Sequence, residues 1–515
     1  MNKNAEKITM LSKFHNLESP FLFDDYALCF GHFNVIHPGH LRYFQTAHSY
    51  KEKIVVALEG DRRLTELARG EWFTENERAQ AVAALEIIDK VVILDSGDLA
   101  ELVSTLKSVL LILGREFEGE RAPEVAAAIA VVRASGGEVI YAPGEARYTS
   151  TNLFYGKRDE LEVEKWSTFE RTLTGRGIDL TKLTSRIGQG RRPNLLIIGD
   201  TILDQYVPCD PVGMSNEAPV VVVKELERVE FIGGAAIVAA HTASFGANAT
   251  FISVTGDDPD SDLVFDKLSQ AGVTPILFKD FSRPTTRKTR FMVENQKLFR
   301  VSLLKEHSIS KDLEQKIIKT IDDVASNVEA IIVSDFVYGV ITQTILDKLL
   351  TVAKEGNIPL LGDLQCSSQI GNVSKFKDFF LICPTEREAR IALSNQDDGI
   401  ENVANLLMKK TRCKNMIVKL GAEGLIAYCD AGSEDFVQRQ HLPALAETPV
   451  DVAGAGDTLI AAVAVGLTKG LSLIEASALG CCASAVAVQQ VGNMPVSITE
   501  INNLIEKRKL SIYAD

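Results

Sequence analysis

Asp451-Val452-Ala453-Gly454-Ala455-Gly456-Asp457-Thr458 runs directly into the small apolar stretch Leu459 to Ala464. Two glycines two residues apart let bare backbone N–H groups converge on an anion, and the helix that starts there adds the positive end of its dipole. An aspartate closing the turn can take the proton of an alcohol. Together these groups are equipment for phosphorylating a hydroxyl, although a Gly-Ala-Gly turn alone can also merely start a buried helix. A second constellation lies near the other end, Phe30-Gly31-His32-Phe33-Asn34-Val35-Ile36-His37-Pro38-Gly39-His40. His37 and His40, with Gly39 between them, can both face a triphosphate at a helix N-terminus and neutralise charge on the bridging oxygen during attack on the α-phosphorus. A zinc pair would need further ligands, and no nearby Cys or third His at sensible spacing supplies them.

Two α/β systems are needed to hold these residues. Over residues 26–160, short apolar strands (Ala27 to Phe30, Lys53 to Leu58, Lys90 to Leu94, Leu110 to Leu113) alternate with helical segments at Glu75 to Ile88 and Pro123 to Ser135, the pattern of a parallel sheet covered on both faces. Residues 161–192 are polar and charged and read as a linker, helical in its centre. Residues 193–510 carry a second set of strands, at Leu195 to Asp200, Ala249 to Val254, Ala330 to Ser334, Pro359 to Gly362, Phe379 to Cys383 and Met416 to Leu420, each followed by a helical segment. Ala218 to Val223 with Glu230-Phe231 interrupts that alternation as a small β-flap. The expected fold class is α/β, with two doubly wound domains.

At 515 residues the chain exceeds one core, and 46% hydrophobic with 24% charged residues describes an ordinary globular protein. The formal charge of −14 argues against a nucleic acid or an anionic membrane as partner. Eight cysteines form no C-x-x-C pair, so free buried thiols are expected rather than zinc or disulfides. No run of about 18 apolar residues occurs and the first residues lack an apolar leader core, which points to a cytoplasmic protein.

Residues 28 to 40 resemble the signature of the cytidylyltransferase-like nucleotidyltransferase superfamily, whose H-x-G-H is His37-Pro38-Gly39-His40. Glu77-Arg78, Leu113-Gly114-Arg115-Glu116-Phe117 and Tyr148-Thr149-Ser150-Thr151-Asn152 extend the resemblance. It implies catalysis by His37 and His40, and nucleotide binding by Phe30, Gly31, His32, Gly39, Arg115, Thr149, Ser150 and Thr151. Ser49 and Leu113 stand where relatives carry lysines, and Asn34 replaces an aspartate.

Residues 194 to 500 are similar to the ribokinase-like sugar kinases, and most of all to the heptose-7-phosphate kinase half of the bifunctional ADP-heptose synthases. The matching stretches are Ile198 to Tyr206, Glu217 to Val220, Gly233 to Ala236, Ser244 to Ala247 and Asp451 to Thr458. The resemblance implies Asp457 as base, Gly454, Ala455 and Gly456 as phosphate donors, and Lys419, Gly421 and Gly424 on the nucleotide side. It further implies Asp200, Asp204, Gly233 and Gly234 against the sugar, and Glu388 as the remnant of a magnesium-organising N-x-x-E. Lys288, Arg290 and Arg300 suit a phosphate already on the sugar, because guanidinium forks match phosphate oxygens; a solvated basic strand is the plainer alternative. Departures border the ligand site: Gly213, Ile237, Phe336 to Gly339, Leu364-Gln365 and Thr385.

The two halves make sense together, since the sugar 1-phosphate made by one is the substrate of the other. The expectation is a bifunctional enzyme making ADP-heptose or a close relative, using ATP and Mg²⁺, with the transferase placed first instead of last. The alternatives are a CTP-using, CDP-activating transferase joined to another kinase, and a half that serves only as a sensor or scaffold. A homodimer through flap residues 215–232 is expected, because a small isolated flap is marginal alone.

Overall fold

The computed structural model describes residues 5–14, 26–36, 38–63, 73–106, 110–114, 117, 123–142, 158–217, 220–293, 296–365, 371–396, 398–433, 436–446 and 449–512. The chain divides into two compact units, residues 1–164 with 393–406, and residues 165–392 with 407–515.

The first unit contains an all-parallel six-stranded sheet of β1 (Ile8–Met10), β2 (Tyr26–Gly31), β3 (Lys53–Glu59), β4 (Lys90–Leu94), β5 (Leu110–Gly114) and β6 (Glu138–Ala142), in the order β1-β4-β3-β2-β5-β6. Alternate residues of each strand enter opposite cores. Leu28, Phe30, Val55, Ala57 and Leu111 pack with the helices Leu99–Leu106 and Pro123–Ala134. Ala27, Cys29, Ile54, Val56 and Ile112 pack with the helices Pro38–Tyr50 and Glu75–Ala83. This two-sided burial explains why the strands read as continuous apolar runs. The expected helix Glu75 to Ile88 starts as read, fixed by a Thr74–Glu77 capping box, but ends at Ala83. The edge strand β1 was not foreseen.

In the second unit, β7 (Asn194–Gly199), β11 (Asn248–Thr255), β12 (Val273–Lys279), β15 (Ala330–Asp335), β16 (Leu360–Leu364), β17 (Leu381–Ile382) and β18 (Asn415–Lys419) pair in parallel. The sheet ends on an antiparallel hairpin of β19 (Leu425–Ser433) and β20 (Phe436–Leu442), and its order is β12-β11-β7-β15-β16-β17-β18-β19-β20. The expectation that every strand is followed by a helix therefore fails three times, first between β16 and β17, where the described residues hold only the 3₁₀ turn Val373–Lys375. β18 turns straight into β19, and β7 passes after Asp200 into the 14-residue strand β8 (Thr201–Met214).

β8 is the centre of the flap, which is larger than its sequence suggests. It pairs with β9 (Val221–Glu225) and β10 (Val229–Gly234), and in parallel with β13 (Arg287–Val293), which pairs with β14 (Gln296–Leu303). The basic stretch at Arg287 to Arg300 is thus part of the flap.

Much of the stretch read as linker is a pair of helices, Arg158–Thr174 and Leu180–Gly188, the second capped by Asp179. Trp166, Phe169, Leu173, Leu180, Leu183 and Ile187 lie in the same core as Leu195, Ile197 and the helix Ala235–Ser244. Its charged residues masked the apolar stripe. The described cysteines are all free, as read, and all but half-buried Cys429 are buried. Among the described residues no helix is long and apolar enough to cross a membrane.

Candidate functional site

Gly454 caps the helix Ala455–Thr468 with φ at 81°, a left-handed conformation that glycine takes without strain, and no side chain occupies the cap. The first amides of that helix therefore keep their hydrogen-bonding capacity for a ligand. Asp457 lies in the first turn, buried, and accepts a 2.6 Å hydrogen bond from Gln365 Nε2. The same amide reaches Asp363 Oδ2 at 3.1 Å, and Asp363 holds Lys419 at 2.6 Å. Lys419 Nζ comes within 3.3 Å of where a Cβ on Gly456 would sit, so this cation borders the glycine turn.

Burial, and then the neighbouring Asp363, push the Asp457 carboxyl up to about 8, against the pull of Lys419 and Gln365. Burial also raises Asp363. For Lys419 burial works against the charge, but Asp363 and Glu388 outweigh it and hold its pKa above the ordinary lysine value. The group thus contains a buried carboxyl tuned towards neutrality beside a permanent cation and a row of amides, which suits proton abstraction coupled to phosphate binding.

Asp204, on β8, forms an ion pair with Arg290 of β13 and accepts from Asn493 Nδ2 at 2.8 Å. Gly233 is required beside it, since a Cβ there would lie 2.2 Å from Asp204 Oδ2. The Asn493 contact fixes that amide's orientation, because a carboxylate accepts only from the nitrogen. Its Oδ1 is buried beside Gly454 with no hydrogen-bond partner. Asn493 and Gln365 were both missed as site residues; Gln365 was noted only as a departure, and an isolated Asn after a helix carries no signal.

Asp200 sits elsewhere. Its carboxylate accepts from the backbone N–H groups of Phe336, Tyr338 and Val340 at 2.8, 3.3 and 3.2 Å, beneath the loop after β15. Burial and the nearby Asp335 hold it well above the ordinary carboxylate range. With three amides on its oxygens, Asp200 organises that loop. Gly234 leads from β10 into the helix Ala235–Ser244.

The three basic residues have different surroundings. Lys288 is buried over the rings of Phe336 and Tyr338, 5.5 and 5.4 Å from their centroids, Arg290 is paired with Asp204, and Arg300 lies exposed opposite Arg290 on β14. Lys297, also on β14, reaches Asp451 at 2.9 Å, and Tyr206 donates to the same carboxylate at 2.5 Å. Burial alone would raise Asp451, but these two hydrogen bonds prevail and lower it.

Glu388 accepts from the Thr385 N–H at 2.8 Å while Thr385 Oγ1 accepts from the Glu388 N–H at 3.2 Å, a capping box on the helix Glu386–Leu393. Thr385 thus keeps a structural use for the glutamate of the altered N-x-x-E. Gly421 and Gly424 form the turn between β18 and β19. Among the described residues no group of three or more His, Cys, Asp or Glu is arranged to hold a metal ion.

In the first unit, Phe30, Gly31 and His32 leave the end of β2, while Gly39 and His40 lie in the first turn of the helix Pro38–Tyr50. Phe33 adopts φ 47°, uncommon for a residue with a side chain, and its buried ring meets the His40 ring edge-on at 5.0 Å between centroids. Tyr43 bridges the strand ends: the Phe30 N–H donates to its hydroxyl at 2.9 Å, and the hydroxyl donates to Ile112 O at 2.6 Å. Arg78, buried, donates to His32 O at 2.5 Å, Phe73 O at 2.9 Å and Asp61 at 2.8 Å, which fixes the loop that follows β2. Ser49 bonds back to Thr46 O and Leu113 is wholly buried, so neither offers a cation substitute. His37, Arg115, Thr149, Ser150 and Thr151 lie outside the described residues.

These features define a class: two α/β units, each with a glycine-containing segment that leads into a helix N-terminus. Residues 192–500 match the profile of pfkB family carbohydrate kinases, and the chain belongs to that family. Residues 28–135 match the cytidylyltransferase-like family. The bifunctional protein HldE of Pelobacter propionicus is 30% identical over 332 residues, 64% of this chain and 66% of the relative, and that of Campylobacter jejuni serotype O:6 is 33% identical over 317 residues, 61% and 65%. The chain thus spans just under two thirds of the length of these relatives. Phosphofructokinase-2 from Escherichia coli shares the fold of the second unit, with a TM-score of 0.51 at 17% identity over 62% of this chain and 99% of that one.

Proposed function

We propose that the second unit phosphorylates a hydroxyl of a sugar phosphate from ATP, and that the first unit transfers a nucleotidyl group to the resulting sugar 1-phosphate with release of pyrophosphate. The observation that carries the reading is the buried Asp457 in the first turn of a glycine-capped helix, with Lys419 against Gly456. Asp457 accepts the proton of the attacking hydroxyl, and the Gly454 to Asp457 amides with Lys419 take up the charge of the transferring phosphoryl group. Asp204 and Asn493 orient the sugar hydroxyls, the unpartnered Asn493 Oδ1 accepting from one of them. The exposed Arg300 is the group best suited to a phosphate already on the sugar, with Arg290 shared between that phosphate and Asp204. Mg²⁺ suits a site with few protein carboxylates, since it keeps waters and phosphate oxygens as ligands, and Glu388 would hold it. When bound it neutralises charge on the phosphate oxygens.

In the first unit His37 and His40 are assigned to the α-phosphate. Phe33 and Arg78 support this reading by fixing the His40 ring and the His32 carbonyl. The likeness to bifunctional relatives supports heptose 7-phosphate as the sugar and ADP-heptose as the product, and the natural alternative at the first site is CTP. A phosphorus NMR time course with Mg-ATP and heptose 7-phosphate tests this. Anomeric phosphate signals followed by a nucleotide diphosphosugar and pyrophosphate are expected; no new signals would leave a sensor or scaffold, and a product only with CTP would replace ATP at the first site.

A homodimer through the flap, centred on residues 215–232, completes the proposal. Val212 and Met214 of β8, Val221 of β9, Leu226 just after β9, and Phe299 and Val301 of β14 are exposed apolar side chains on one small sheet and its edge, more than a solitary flap ordinarily leaves in water. Light scattering of the full chain should give twice the chain mass, and Val221→Asp should give the monomer.

A further inference from the structure

The helix Ala235–Ser244 is built of small apolar residues, every one from Ala235 to Ala243 buried, and carries a single imidazole in its interior. A polar ring buried there costs free energy unless each nitrogen is satisfied. Both are. Val496 N lies 3.1 Å from His241 Nδ1, and Thr458 Oγ1 lies 2.9 Å from His241 Nε2.

The directions follow from what each group can do. A backbone N–H only donates, so Nδ1 must be the bare nitrogen, and in a neutral ring the proton then sits on Nε2. Nε2–H donates to Thr458 Oγ1, which leaves the threonine proton for Gly454 O, 2.9 Å away. The same carbonyl receives the Thr458 N–H at 2.9 Å. Ser244 Oγ donates to Val496 O at 2.8 Å, so the same helix also grips the far side of Val496. Burial alone pulls the His241 pKa down to about 3, so the ring stays neutral and the pattern persists across the working range.

The end of this chain is a peptide plane. Across a trans peptide the C=O of one residue and the N–H of the next point in opposite directions, so clamping Gly454 O sets the direction of the Ala455 N–H. Glycine at φ 81° has no side chain to hold that plane, so its direction rests on the Thr458 N–H and on the second hydrogen bond that the Thr458 hydroxyl adds at Gly454 O.

We propose that His241 is a positioning residue for phosphoryl transfer: through Thr458 it fixes the Gly454 carbonyl and so aims the Ala455 amide at the transferring phosphate. This rests on the kinase reading of the Gly454 to Asp457 turn. The test uses the full chain, with Asp457→Asn, Thr458→Val, Thr458→Ser, His241→Phe and the double variant Thr458→Val with His241→Phe. Thr458→Val keeps the shape and removes the relay, and is expected to lower kcat about tenfold or more with KM for the sugar nearly unchanged. Thr458→Ser, which keeps the hydroxyl, should recover most of that loss, and the double variant should be no worse than Thr458→Val alone. In imidazole nitrogen NMR, the His241 resonance, assigned by its loss in His241→Phe, should show a protonated Nε2 and a bare Nδ1. Full turnover in Asp457→Asn would overturn the kinase reading itself. An inactive Asp457→Asn beside an unchanged kcat in Thr458→Val, or a proton found on Nδ1, would overturn the relay alone; if His241→Phe does not fold, the two threonine variants decide.

Discussion

At the scale of the residue, Asp457 has to be unprotonated to act as a base, yet burial and Asp363 raise its pKa to about 8. Kinase turnover should therefore climb through about pH 8 and fall about tenfold per pH unit below it. Gln365 donates to Asp457 and favours its charged form, so Gln365→Leu should move that acidic limb to higher pH, an outcome read directly from the pH–rate profile. The same shift has a sign for stability. The folded pKa lies above the ordinary carboxylate value of about 3.9, so the native state keeps a proton that the unfolded chain has released. The contribution of Asp457 to stability is full below about pH 4 and declines as pH rises to about 8. Asp457→Asn should lose the kinase step, by about a hundredfold or more, and unfold at a higher temperature than the parent at pH 8.5. A base that costs stability where it is active is the trade expected of a tuned site.

At the scale of the element, the flap and the helical pair before β7 are where local patterning misleads. β8 follows directly on Asp200, where a helical segment was expected after the strand, so Asp200 joins strands of two different sheets. The stretch 161–192 looks polar because charged and polar residues outnumber apolar ones along it, yet Trp166 and Phe169 are buried edge-to-face, 5.8 Å between ring centroids. Trp166→Ala should cost about 3–5 kcal/mol. Denaturant unfolding of the full chain would show the loss in the transition that removes kinase activity; an unchanged midpoint would return this stretch to the role of a tether. Thr385 and Glu388 add to this, since the remnant of a motif also caps a helix.

At the scale of the whole molecule, the fused units predict separable losses. Asp457→Asn should block conversion of sugar phosphate while leaving nucleotidyl transfer to an added sugar 1-phosphate intact. His40→Ala should do the reverse and accumulate the sugar 1-phosphate, with the bridging step slowed by about 10²-fold or more. Phosphorus NMR on each variant, with each substrate supplied in turn, separates the two; loss of both reactions in either variant would mean that one site serves both steps.

The amino-acid sequence by itself determined the two α/β units, their order, and the glycine turns that open helices, because a glycine turn, the helix it opens and the apolar strand before it are set by neighbours a few residues apart. It also pointed to Asp204, Lys419 and Asp457 as candidates. Only the tertiary structure decided what surrounds them. Lys419 meets Asp363 across 56 positions, Tyr206 meets Asp451 across 245, and Asn493 meets Asp204 across 289. Asp200 and Asp204 are both aspartates near the end of a strand, yet one supports a loop and the other faces Arg290. Which carboxylate is spent on backbone amides and which on side chains depends on distant chain brought alongside, and on the burial that sets its charge.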